Sequence, residues 1–286
     1  VAVILALCSA ALFGGMTVAL RLGLRRSPDA EVGALVTVGI AAAVALVAAA
    51  AEWGSGPLRW GELGFFALAG LIAPGASQLF YTRATRDAGA SRTSVVVGAA
   101  PLVAVAIAIL FLGEPVEAWL VAGALLIVVG GLALAGERIR PAGFRTRGLA
   151  FAALTAVLFS TRDNLVRWYS GDVRTASAAA AAAALVAGTL ATAVVVAVSR
   201  RGTRKPRVGL ASFVPAGLLF GLSYVSLFEA YYRGRVSIVS PLVATESLWG
   251  VLLSALILRR SELVGPRLVA GAALIVAGGV VIGVVR

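Results

Sequence analysis

The chain has 286 residues, 60% of them hydrophobic, and a mean hydropathy of +0.98. Soluble domains are about 45–50% apolar, so this composition excludes an ordinary soluble globular protein. The formal charge is +12; a single cysteine excludes an internal disulfide and a cysteine metal cluster, and the lack of histidine excludes imidazole as ligand, base or proton shuttle.

A membrane-spanning helix needs about 20 apolar residues. Ten such runs follow one another, at 1–20, 32–51, 63–82, 94–113, 116–135, 148–169, 176–198, 209–231, 236–258 and 263–285. Breakers separate them: Ser27-Pro28-Asp29 after the first, Gly54-Ser55-Gly56-Pro57 after the second, and Gly113-Glu114-Pro115 after the fourth. Residues 136–147 form a polar linker, and 199–207 are the most basic loop. The alanines at 178–184 make a slim helix suited to close packing in lipid. No cleavable leader is evident, and since the chain starts at Val1 inside an apolar run, a few residues are expected to precede it.

One stretch occurs twice. Residues 120–131 read LVAGALLIVVGG and residues 268–279 read LVAGAALIVAGG, at an offset of 148. Leu79-Phe80 fall on Leu227-Phe228 and Glu114 on Glu262 at the same offset; Leu12-Phe13 and Arg21 fall on Leu158-Phe159 and Arg167 at 146. The chain therefore reads as two copies of one unit, residues 1–138 and 146–286. Five helices per copy is an odd number, so the second copy enters the membrane from the opposite face. The expected fold is an all-α membrane protein of ten transmembrane helices in two inverted-topology five-helix repeats.

With Arg162 set aside as intramembrane, lysine and arginine divide 18 to 6 in favour of the odd-numbered loops. That bias places those loops in the cytoplasm and both termini outside. It also accounts for the positive charge without a nucleic-acid partner.

The chain resembles the EamA-type transporters of the drug/metabolite transporter superfamily. The resemblance spans the whole chain. It rests on the two five-helix copies and on Ala90-Ser91, Pro101-Leu102, Leu112-Gly113-Glu114, Gly123 and Gly130-Gly131. The second copy is less faithful: Trp249 stands where Pro101 would recur, and Arg260-Ser261-Glu262 replaces Leu-Gly-Glu. The resemblance implies a multi-pass plasma-membrane exporter of a small metabolite that uses no cofactor. It also implies termini on the cytoplasmic side, opposite to the charge bias.

Ionisable groups inside apolar runs cost about 2.5–3.5 kcal/mol each on insertion scales and are functional suspects. At about 1.5 Å per residue, Glu246 lies roughly 15 Å into the ninth run, near the midplane of a core about 30 Å thick. Arg162 and Asp163 lie roughly 21–23 Å into the sixth run by the same measure. Asp163 with Arg167, and Glu229 with Arg233, are spaced four apart and can pair on one helix face. Glu246 and Arg162 have apolar residues or glycine at those spacings, so each is expected to seek a partner elsewhere. They are expected to face one central cavity. There Glu246 could bind an amine or, since burial disfavours its charged form, carry a proton, while Arg162 could hold a carboxylate. A purely structural ion pair is the plain alternative.

Trp249, Tyr224, Asn164, Gln78 and Tyr81 are candidates to complete the pocket, with interfacial anchoring or packing as the other reading for Gln78 and Tyr81. Pro101 and Pro241 are candidate hinges. The repeat counterparts of Arg162, Asp163 and Glu246 are Met16, Thr17 and Gly98, so the second copy alone carries the charges.

The reading is a secondary transporter exporting a small polar metabolite, an amino acid or related zwitterion, by alternating access, with protons as one candidate coupling ion. A lipophilic-cation exporter and a lipid-carrier flippase are the alternatives. An intramembrane enzyme has no HExxH, GxSxG or paired carboxylates to support it, and no GxxxxGK[ST] supports direct drive by ATP. The glycine-rich outer helices suit either a monomer or a homodimer.

Overall fold

The computed structural model describes residues 1–52, 59–112, 118–135, 143–169, 173, 175–199, 209–233, 239, 242–258 and 264–284. Among these the regular elements are all helices: α1 (Ala2–Arg26), α2 (Ala30–Ala51), α3 (Trp60–Gly70), α4 (Ser77–Ala88), α5 (Ala90–Val97), α6 (Ala100–Leu112), α7 (Ala118–Ala135), α8 (Arg147–Tyr169), α9 (Ser177–Ser199), α10 (Val214–Arg233), α11 (Glu246–Leu253) and α12 (Pro266–Val284). In lipid the backbone must satisfy its own hydrogen bonds, which leaves helices as the outcome for such runs. Six described segments are long and apolar enough to cross a membrane: Ala2–Arg26, Ala30–Ala51, Trp60–Ala88, Arg147–Val166, Ser177–Ser199 and Leu210–Arg233. The helices at Ala118–Gly131, Glu246–Leu258 and Pro266–Ile282 are apolar but shorter.

Local chemistry sets several boundaries. Pro28 ends the first helix region, and the Asp29 carboxylate then accepts from the Val32 N–H at 3.1 Å, capping α2. Gly89, at φ +95°, makes the turn from α4 into α5 that a residue with a Cβ would resist. Three of the expected spans are interrupted. Between α3 and α4 the segment Leu71–Ala76 widens, and Ala73 is extended at φ −142° and ψ 119°. Between α5 and α6 the chain turns at Gly98-Ala99, and α11 begins after a turn at Ala244-Thr245. The fourth run is thus two helices rather than one.

Small residues let the helices meet backbone to backbone. A Cβ at Gly70 would lie 2.2 Å from the Ala184 carbonyl oxygen, which shows how closely the alanine-rich α9 passes α3. Along α7 and α12, a Cβ at Gly123 would lie 2.8 Å from the Gly278 oxygen, and one at Gly130 would lie 2.7 Å from the Gly271 oxygen. As one number rises the other falls, so the two helices run antiparallel. At the offset of 148, each of these contacts is the repeat counterpart of the other. A second crossing joins α5 to α11, where a Cβ at Gly98 would meet Ser247 at 2.6 Å and one at Gly250 would meet the Ser94 hydroxyl at 2.1 Å.

Candidate functional site

Where the interrupted helices approach α1, α8 and α10, they leave a cavity of about 100 Å³. That is somewhat smaller than the ~150 Å³ apolar cavity that admits benzene in an engineered core. Both halves of the chain contribute to it. Ser9, Phe13, Pro74 and Gly98 come from the first, and Arg162, Asp163, Tyr224 and Glu246 from the second.

The polar groups are anchored unequally. Arg162 is 7% exposed. Its Nε donates to the Asp163 carboxylate and one terminal nitrogen donates to the Tyr224 hydroxyl, both at 2.8 Å. Its guanidinium also lies 5.5 Å from the ring centres of Phe159 and Tyr224, within cation–π range. Tyr224 donates onward to the Ala73 carbonyl at 3.1 Å. That carbonyl is available because Ala73 has left helical geometry. Glu246, at the start of α11, lies within electrostatic reach of Arg162 and Asp163. Among the described residues, no hydrogen bond or ion pair engages its carboxylate.

The sequence expectation gave Arg162 no nearby partner. The structure corrects this: the partner is the adjacent residue. Successive residues point about 100° apart around a helix, but the long arginine stem covers that angle and turns its Nε onto Asp163. The expected Asp163–Arg167 pair involves the Arg167 side chain, which lies outside the described residues. Glu229 pairs with Arg233 as expected, and the Ser177 hydroxyl also donates to it; this group lies apart from the cavity.

Besides Glu229, four candidates do not line the cavity. Asn164 turns back and donates to the Ser160 carbonyl of its own helix at 2.8 Å. Trp249 packs over α1, where Gly14 leaves room for its Cβ, so the three-residue spacing from Glu246 does not bring it to the same surface. Tyr81 is fully buried, hydrogen-bonded to Thr17 and packed against Phe13 and Phe159. Gln78 is also fully buried, and neither end of its amide finds a partner among the described residues. The hinge expectation changes as well. Pro101 falls in the first turn of α6, where a missing N–H costs no helical bond, rather than inside a continuous helix. Pro241 lies outside the described residues.

Sequence reasoning missed several lining residues. Ser9 and Ser223 bond to each other across α1 and α10, with hydroxyls 3.1 Å apart. Phe13 and Phe159 both line the cavity, 6.0 Å apart between ring centres. Their repeat match was a usable signal, since counterpart residues that meet must do so at the boundary between the copies.

The profile of the EamA-like transporter family matches residues 1–135 and 146–284. A solved structure described only as the crystal structure of a protein superposes with a TM-score of 0.64 at 22% identity, over 98% of this chain and 95% of its own. At that identity the likeness concerns the fold alone. No curated protein matches the chain.

Proposed function

This chain belongs to the EamA-like transporter family, and on that premise we propose that it is a secondary transporter exporting a small polar metabolite across the plasma membrane by alternating access. The observation that carries the reading is the shared cavity, in which Arg162 is committed to Asp163 and Tyr224 while the Glu246 carboxylate is unbonded among the described residues. A paired arginine and an unpaired acid suit a substrate bearing an amine: Glu246 holds the cationic group, and an amino acid or related zwitterion places its carboxylate toward Arg162. Protons are the proposed coupling ion.

The proposed architecture is ten spans in two inverted halves, residues 1–138 and 146–286. The reciprocal contacts of Gly123 with Gly278 and of Gly130 with Gly271 support the inversion. Two antiparallel helices that exchange under a two-fold have their axis across them, hence in the membrane plane. Charge bias places the Arg21 and Asp87 end in the cytoplasm.

The aromatic walls favour a second reading, a lipophilic-cation exporter with Glu246 as counter-ion. Flux into proteoliposomes, with and without a proton gradient, over amino acids, amines and lipophilic cations tests both. Gradient-driven flux of amino acids that is lost in Glu246→Gln supports the first reading. Flux of lipophilic cations alone moves the conclusion to the second, and flux of neither overturns both.

A further inference from the structure

Described contacts toward the two ends of the bundle differ, and repeat register relates them. At the Asp87 end, α1 is fastened to α4. The Tyr81 hydroxyl bonds Thr17, and Arg21 donates to the last carbonyls of α4, those of Thr85 at 3.0 Å and Arg86 at 2.7 Å. The offset of 146 carries Thr17 onto Asp163 and Arg21 onto Arg167. The offset of 148 carries Tyr81 onto Glu229, and Thr85-Arg86 onto Arg233-Gly234. At that second end the described side chains Asp163 and Glu229 do not bond each other as Thr17 and Tyr81 do. Asp163 bonds Arg162 and keeps 42% of its side chain exposed, and Glu229 bonds Ser177 and Arg233. Among the described residues, no hydrogen bond joins Asp163 to Glu229.

We propose that Asp163 and Glu229 form a proton site that exists only in the opposite access state, where α8 closes on α10 as α1 now closes on α4, and that one proton held between the two carboxyls is the condition for that closure. The proposal rests on the reading of this chain as an alternating-access transporter with inverted halves, since such halves can exchange conformations about a fixed site. The reach is matched: glutamate is shorter than tyrosine, and aspartate is longer than threonine. The chemistry is not matched. Two hydroxyls supply their own donor, as Tyr81 and Thr17 do, whereas two carboxylates have none. Carboxylates at hydrogen-bond distance cannot both stay ionised, and a single shared proton turns repulsion into a bond. Leu242 stands at the repeat position of Ser94, so an apolar side chain would flank the pair.

Other charged and titratable groups surround the pair. Arg162, Tyr224, Tyr231 and Glu246 lie within electrostatic reach of Asp163. Arg233 and Tyr232 lie within reach of Glu229, and Tyr232 also senses Glu62. Arg233 is the rival partner, because a guanidinium could bridge the two acids without a proton.

The test needs no substrate. In a Cys8→Ser background, spin labels at Val166 and Tyr232 report the gap between α8 and α10 in liposomes. Their repeat counterparts, Leu20 and Ala84, are fully buried at the fastened end. Acidification is expected to move the distance distribution toward the short state, by up to about tenfold in the closed-to-open ratio per pH unit for one proton. Asp163→Asn and Glu229→Gln, made separately, are each expected to supply an amide donor and populate the short state without a pH response. Glu246→Gln is expected to retain the pH response. A distribution indifferent to pH overturns the proposal, as does a pH response surviving in both acid variants. Loss of the short state in Arg233→Gln shows an arginine bridge and overturns it too. Each of these outcomes can occur while substrate flux persists, so failure here is separable from failure of the transporter reading.

Discussion

The Tyr224 hydroxyl donates to the carbonyl oxygen of Ala73 across 3.1 Å, tying the second half of the chain to the extended residue within the Leu71–Ala76 break. The same hydroxyl accepts from Arg162, so one oxygen connects the buried cation to the interrupted helix. It fixes one end of a guanidinium whose Nε is already held by Asp163.

Tyr224→Phe keeps the ring and removes both bonds. Hydrogen bonds to charged groups contribute about 1.5–3 kcal/mol. Thermal unfolding in detergent is expected to show a loss of that order, and proteoliposome flux is expected to fall because Arg162 loses its orientation. Unchanged stability and flux would mean the hydroxyl holds nothing that matters.

Arg162→Leu leaves Asp163 without its cation. Removing one partner of a wholly buried pair costs about 3–5 kcal/mol, but the 42% exposure of the Asp163 side chain lets water take up part of that loss. The destabilisation is therefore expected to fall below that range. Adding Asp163→Leu is expected to recover some of it, with a coupling of about 0.5–3 kcal/mol in a double-mutant cycle. Strict additivity would show that the pair is energetically idle.

Gly278→Ala and Gly131→Ala make a controlled comparison. A Cβ at Gly278 would lie 2.5 Å from the Gly123 oxygen, while one at Gly131 meets nothing within 4 Å. The first is expected to cost about 1–3 kcal/mol through overpacking. The second is expected to gain about 0.5–1 kcal/mol from the lower backbone entropy of the unfolded chain. Equal melting temperatures for the two variants would contradict the close approach of α7 and α12.

Glu246→Gln alters a carboxylate that is unbonded among the described residues. Folding and melting are expected to match the parent. Flux of amine-bearing substrates is expected to be lost, because the amide carries no charge to hold the cation. A variant that folds and transports at full gradient-driven rate would remove Glu246 from both binding and coupling.

Much of this architecture was legible from apolar run length and from the repeated LVAG stretch. Arg162 and Glu246 stood out because a charge inside an apolar run is costly. What the sequence concealed has physical causes. The turn at Gly98-Ala99 lies inside the apolar run 94–113, so hydropathy does not mark it or show that Pro101 falls in the first turn of a helix. Spacing rules describe Cβ directions. They therefore missed Arg162 swinging onto its neighbour and misplaced Trp249, whose packing depends on Gly14 of a distant helix. Ser9 and Ser223 carry no charge, and only their contact across α1 and α10 reveals them.

The α7–α12 seam also constrains how the protein is made. Gly123 and Gly130 meet partners 155 and 141 residues further along the chain. Until the closing helix emerges from the ribosome, the glycine face of α7 can be covered only by lipid tails or by a borrowed surface. The first half must therefore wait in the bilayer with its groove unfilled until the second half is made.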